Sequence, residues 1–148
     1  MDDWVSPQHG GSDWITTVRW AECDPAGIIY HARVFDWFSE ARAVWLREHG
    51  LDYYREIRSR GIELLVRDAG LTFRHALRPG DRVVVKTILK EYTATRALFN
   101  YRVIREVGSS HTAVYGQTSH VFVVNGRARR LDRAFPDLAQ RFQEQIPT

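Results

Sequence analysis

Residues 18–50 read VRWAECDPAGIIYHARVFDWFSEARAVWLREHG, and this stretch decides the fold. Pro25 fixes its own φ and disfavours helix at Asp24. Gly27 frees the chain to turn sharply. Asp24-Pro25-Ala26-Gly27 therefore reads as a tight turn at the exit of a strand. From about Tyr30 to His49 the apolar period becomes helical. Val34, Phe38, Ala41 and Trp45 follow one another at spacings of four, three and four, and Trp37 and Val44 widen the stripe. Asp36, Glu40, Arg42, Arg47 and Glu48 lie mostly off it. Gly50 stands where a helix C-terminal cap belongs. At about 1.5 Å per residue such a helix is about 25–30 Å long and needs a broad apolar surface to cover.

The rest of the chain supplies that surface. Trp14 to Trp20 (WITTVRW) alternates as a strand does, with Trp14, Thr16, Val18 and Trp20 to one side. Residues 1–12, with Pro7, Gly10 and Gly11, are expected to form a flexible tail, and residues 13–148 a single domain. Leu51 to Arg60 reads as a second short helix ended by Gly61. Strands follow over Ile62 to Ala76, broken at Asp68–Gly70, then Arg82 to Tyr92, Arg96 to Val107 and His111 to Val124. Arg78-Pro79-Gly80-Asp81, Gly108-Ser109-Ser110 and Asn125-Gly126 are the turns between and after them. Arg127 to Arg133 reads as a basic loop and Ala134 to Gln145 as a C-terminal helix. Successive strands with short turns imply an antiparallel sheet. The fold class is α+β: about five strands wrapped around one long helix. The sheet's second face then has apolar side chains that another subunit would cover.

Composition narrows the function. The 148 residues suit one domain, and the net charge is +3. Only Lys86 and Lys90 of the 21 basic residues are lysines, and arginine matches planar anions such as phosphate. The excess is too small and too scattered for nucleic acid. Cys23 is the single cysteine, so neither an intrachain disulfide nor a cysteine-based metal cluster can form. That fits a reducing compartment, and a cytoplasmic location is expected. The opening MDDWVSPQHGGSDW has no apolar run of the signal-peptide kind. No stretch approaches the roughly 20 apolar residues of a membrane span.

The run Cys23-Asp24-Pro25-Ala26-Gly27-Ile28-Ile29-Tyr30-His31, followed by Phe35 and Trp37, resembles the 4-hydroxybenzoyl-CoA thioesterase family, including its YbgC-like acyl-CoA thioesterase branch. The resemblance covers roughly residues 14 to 142. It implies the hot-dog fold, a homodimer or homotetramer with its site at the subunit interface, and hydrolysis of an aromatic (benzoyl-type) or short-chain acyl-CoA to free acid and CoA. It also implies that Asp24 is the catalytic carboxylate, as nucleophile or as the base that directs water. By itself, an Asp before Pro equally serves to stabilise a turn. The helix-start position seven residues beyond that Asp supplies an oxyanion-binding backbone N–H in the family, and here it is His31. The first N–H groups of a helix lack partners and carry the positive end of its dipole. The His31 side chain either moves protons and positions water or simply packs at the helix start.

Gly27 and Tyr30 are expected to contact substrate. Arg127, Arg129, Arg130 and Arg133 form the densest basic cluster, which suits the phosphates of CoA or is a charged loop facing water. No cofactor is expected, since CoA is part of the substrate. An acyl-carrier protein is the alternative carrier of the acyl group. Two departures stand out: Arg33 and Val34 occupy positions where the family usually has Asn and an aromatic residue, and Tyr92-Thr93-Ala94-Thr95 replaces a basic run of the aromatic branch. His9, His49, His75, His111 and His120 have no metal-like spacing and read as structural or surface residues. No His/Asp pair is arranged around Cys23. A hot-dog acyl-CoA hydratase and a non-catalytic acyl-CoA or acyl-carrier-protein binding module are the alternative functions.

Overall fold

A computed structural model of the protein describes residues 10–106 and 111–146. Strand β1 (Ser12–Thr17) leads to a 3-10 turn at Trp20–Glu22 and then to helix α1 (His31–Glu48). After a π turn at Tyr53–Ile57 and a 3-10 turn at Arg58–Arg60 come β2 (Ile62–Phe73), β3 (Arg82–Thr93), β4 (Arg96–Arg105), β5 (His111–Val124) and β6 (Arg127–Ala128). Helices α2 (Leu131–Ala134) and α3 (Pro136–Glu144) follow. The sheet is antiparallel in the order β1-β3-β4-β5-β2, with β6 added to the end of β5. Helix α1 lies against it. This is the hot-dog arrangement expected from the sequence, with six strands rather than about five.

Helix α1 is held by the stripe its period announces. Val34, Trp37, Phe38, Ala41, Trp45 and Leu46 are buried, and the larger of these side chains contribute about 1.5–3 kcal/mol each on leaving water. Phe38 stacks flat on Tyr101 of β4, with ring centroids 4.3 Å apart and planes 8° apart. Gly50 takes φ +73 just past the helix, as its cap role requires. At the other end of the core Tyr92 stacks on Phe142 of α3, with centroids 5.4 Å apart.

A polar chain runs through the core beside α1. Arg42 Nη1 donates to Tyr101 Oη at 2.9 Å, and the Tyr101 and Thr118 hydroxyls meet at 2.6 Å. His120 Nε2 lies 2.8 Å from Thr118 Oγ1 and its Nδ1 3.3 Å from the Leu64 carbonyl. A carbonyl can only accept, so Nδ1 carries the proton. Each hydroxyl then donates once, Tyr101 to Thr118 and Thr118 to His120, and the Tyr101, Thr118 and His120 side chains are all paired within this network.

Several local expectations are corrected. The first strand starts at Ser12, and residues 10–12 are tied down: Trp45 Nε1 donates to the Gly10 carbonyl, and Ser12 Oγ to Glu48. The remainder of the expected tail, residues 1–9 with His9, lies outside the described residues, as does the Gly108-Ser109-Ser110 turn. β1 ends at Thr17, so Trp20 falls on the 3-10 turn, 83% exposed, instead of continuing the strand face of Trp14, Thr16 and Val18. β2 is not broken at Asp68–Gly70. It runs through to Phe73, absorbing one extra residue at Arg67, where its register with β5 shifts. The expected helix at 51–60 is only the two short turns, begun by Asp52, whose carboxylate accepts the Tyr54 and Arg55 N–H groups. The expected basic loop at 127–133 contains β6 and α2, because Arg127 and Ala128 pair with Val124 and Val123 beyond the end of β4.

Candidate active site

The segment between β1 and α1 folds into a small closed hairpin. Cys23 and Ile29 form an antiparallel bridge. Asp24 N–H donates to the Ile28 carbonyl at 3.0 Å, Gly27 N–H to the Asp24 carbonyl at 2.9 Å, and Tyr30 N–H to the Glu22 carbonyl at 2.9 Å. Gly27 takes φ +78, a left-handed conformation that makes the reversal possible. Ile29 N–H donates to the Leu77 carbonyl, and Val18 N–H to the Asp81 carbonyl. The hairpin thus sits on the connection that leads into β3.

Asp24 is at the tip of this hairpin and half-buried. Its Oδ1 accepts the Ala26 N–H at 2.9 Å, so it does the turn-stabilising work that Asp before Pro usually does. Its other oxygen accepts no hydrogen bond among the described residues. One oxygen fixes the carboxylate and the second is left for other use.

His31 opens α1. Tyr30 precedes it in extended backbone and offers no side-chain cap, and the first helical turn contains no acid. The hydrogen bonds at this end begin with Arg33 N–H to the Tyr30 carbonyl. The His31 and Ala32 N–H groups are without acceptors among the described residues, at the positive end of an 18-residue helix. The exposed His31 ring rests against Tyr30, with centroids 4.6 Å apart. Tyr30 itself is 44% exposed, and Trp20 stands beside the hairpin. A carbonyl oxygen brought here meets unpaired amides, with the Tyr30 ring alongside.

Cys23 is unsuited to attack. Burial raises its thiol above the usual range, and the neighbouring carboxylates of Glu22, Asp24 and Asp81 raise it further. Arg33 pairs with Asp36 on the exposed surface of α1 at 3.6 Å. Among the described residues no group of three His, Cys, Asp or Glu is placed to hold a metal ion.

The four arginines lie elsewhere. Arg127 is on β6, and Arg129, Arg130 and Arg133 line a groove of about 360 Å³ with Ala128 and Ala134. Leu131 N–H ties this corner to Ala94, past the end of β3. The Asp24 hairpin is anchored before the start of β3, which is 12 residues long. Within one chain the structure therefore does not bring the arginines to Asp24 and His31. Arg130 is also engaged, through Nε and Nη2, with both carboxylate oxygens of Asp132.

Reading by motif misses Glu22. It is 4% exposed, and its carboxylate accepts Trp37 Nε1 at 2.8 Å and the Arg19 N–H at 2.9 Å. An acid two residues before Asp24 has no spacing that marks it. The available signal is the tryptophan on the helix, whose indole N–H needs an acceptor once buried.

A family model described as the thioesterase-like superfamily matches residues 18–144. The chain is 26% identical over 122 residues to YneP of Bacillus subtilis, provisionally named an acyl-CoA thioesterase, with 81% of this chain and 86% of that one covered. Among solved structures it is similar to a hypothetical protein from Thermus thermophilus (32% identity, TM-score 0.83, 93% and 99% covered). It is also similar to a DHNA-CoA thioesterase from Staphylococcus aureus (28% identity, TM-score 0.84, 90% and 89% covered).

Proposed function

The chain belongs to the thioesterase-like superfamily and is a thioester hydrolase, and we propose that it cleaves an acyl-CoA with Asp24 and the start of α1 as its machinery. The observation that carries this reading is the Asp24 carboxylate. One of its oxygens is pinned by Ala26 N–H and the other unengaged, on a hairpin that runs directly into a helix with free N–H groups. Placed on those N–H groups, the thioester oxygen is polarised, and negative charge that develops there during attack is stabilised. The free Asp24 oxygen either takes a proton from the attacking water or attacks the carbonyl carbon itself. The C–S bond breaks, and CoA leaves as thiolate and takes up a proton; where water attacked, the acid is released at once, and where Asp24 attacked, a water then cleaves the Asp24–acyl anhydride to give the acid and restore the carboxylate. The His31 N–H is the principal oxyanion donor, and the His31 ring borders the same space.

The acyl group is aromatic or short. Exposed Trp20 and Tyr30 beside the hairpin suit a flat ring, and the similar Staphylococcus aureus structure is named a DHNA-CoA thioesterase. Two chains complete the site. The hairpin tip is open in a single chain, and the Arg127, Arg129, Arg130 and Arg133 corner lies beyond the far end of β3. A CoA at one hairpin would take its phosphate contacts from a second copy's arginines. Strand β2, an edge of the sheet with Leu65 51% and Val66 46% exposed, is the surface through which such copies would pair.

Thiol release measured with DTNB tests the reading, using benzoyl-CoA, 4-hydroxybenzoyl-CoA, acetyl- to hexanoyl-CoA and the corresponding acyl-carrier-protein thioesters. Turnover concentrated on the aromatic or short acyl-CoAs is expected. Release of no thiol from any of them would refute it.

A further inference from the structure

We infer that Glu22 is a positioning residue, whose carboxylate sets the Asp24 hairpin against helix α1 through Trp37. This rests on the reading of Asp24 and His31 given above. The evidence is the set of bonds that converge on one side chain. Oε2 accepts the indole N–H of Trp37, six residues into the same helix that His31 opens, at 2.8 Å. Oε1 accepts the Arg19 backbone N–H at 2.9 Å, where the chain leaves β1. The Arg19 guanidinium stands 3.4 Å from the same oxygen, on the solvent side. The Glu22 carbonyl accepts the Tyr30 N–H that closes the base of the hairpin. One residue thus joins the strand exit, the base of the hairpin and the helix.

The chemistry calls for a carboxylate at this place. Both hydrogen-bond partners of the side chain are N–H donors, the Arg19 backbone at the exit of β1 and the Trp37 indole on α1. A carboxylate has an acceptor oxygen for each. Glutamine has the same size but one oxygen and one NH2 group, which would face a donor with a donor. Burial opposes a charge here, and the hydrogen bonds from Arg19 and Trp37 outweigh it, so the Glu22 carboxyl lies below its usual range. The anion is therefore the resident form at neutral pH. When it is replaced by an amide, one of the two ties is lost. The hairpin then gains freedom relative to α1, and the free oxygen of Asp24 no longer holds a fixed place relative to the helix start at His31. Misplacement on that scale costs turnover rather than binding.

The test compares Glu22→Gln with the unaltered protein by two readouts. Hydrogen exchange followed by mass spectrometry reports the Asp24, Gly27 and Tyr30 amides whether or not the protein turns over. Steady-state kinetics on the best acyl-CoA separates kcat from KM. Faster exchange confined to the hairpin, with kcat reduced at least about tenfold and KM within about twofold, is the expected result. Trp37→Phe removes the competing donor, so Glu22→Gln should cost less in that background than in the native one. Unchanged exchange in Glu22→Gln, or unchanged kcat, would overturn the assignment. So would a loss that merely follows the unfolded fraction in a parallel melt. Failure of the underlying reading has a different signature, full turnover by Asp24→Asn in the same assay.

Discussion

Phe38 of α1 lies directly over Gly116 of β5, so close that a Cβ at position 116 would run into Cε2 and Cζ of its ring. The Phe38 ring cannot move away, because Tyr101 is stacked on it. The glycine is what allows the helix to seat on the sheet. Gly116→Ala should therefore destabilise the protein by about 1–3 kcal/mol, although alanine ordinarily improves on glycine inside a strand. Urea unfolding would show this as a lower midpoint with an unchanged m-value.

His120 makes stability depend on pH. It is fully buried. That burial, with the Arg42 charge, outweighs the hydrogen bond to Leu64 and lowers its pKa from 6.5 to about 4. Between those values the unfolded chain binds a proton that the folded chain refuses. The contribution of a neutral His120 is thus complete above about pH 6.5 and is lost as pH falls toward 4, up to about 3 kcal/mol in all. Unfolding free energies measured across pH 4–7 should decline on acidification. The His120→Gln variant should give a flatter curve over that window.

The exposed edge of β2 predicts self-association. The native protein should sediment as an oligomer and the Leu65→Glu, Val66→Glu double variant as a monomer, with far-UV circular dichroism unchanged. Thioesterase activity should fall with it if, as proposed, the second copy's arginines complete the site. A native protein that sediments as a monomer and is fully active would remove the two-chain site.

The arginine corner predicts a difference between substrates. Arg129→Ala with Arg133→Ala removes two exposed charges worth about 0.5–1 kcal/mol each. KM for an acyl-CoA should rise about fivefold to thirtyfold. KM for the matching N-acetylcysteamine thioester, which has no phosphates, should stay where it was. Arg130→Ala should do less, because Asp132 already occupies that guanidinium.

What could be read from the chain followed physical contrast. The α1 stripe from Val34 to Trp45 and the span of β5 from His111 to Val124 stand out because their periods are long and their ends carry turn residues. The Asp24–Gly27 reversal shows because proline and glycine restrict and free the backbone at fixed places. Other features have no such mark. The extra residue at Arg67 is local, and alternation on either side of it merely changes phase, which reads as a break at Asp68–Gly70. Trp20 alternates correctly with Trp14 and Val18, yet the strand ends at Thr17 and turns it outward. β6 is two residues long, and only its pairing with Val123 and Val124 reveals it. At the site, Asp24 and His31 are legible as a pair close in sequence. The distance to Arg127–Arg133 is a tertiary fact, and the double role of Glu22 depends on Trp37 turning its indole N–H inward.

The most direct measurement is kcat for Asp24→Asn on the best acyl-CoA, with folding verified by its melting temperature. Asparagine keeps an oxygen for the Ala26 N–H and so preserves the turn, but it offers neither a base nor a nucleophile. The account predicts a loss of at least about 100-fold in kcat, with the fold and KM retained. Turnover equal to that of the native protein would contradict it.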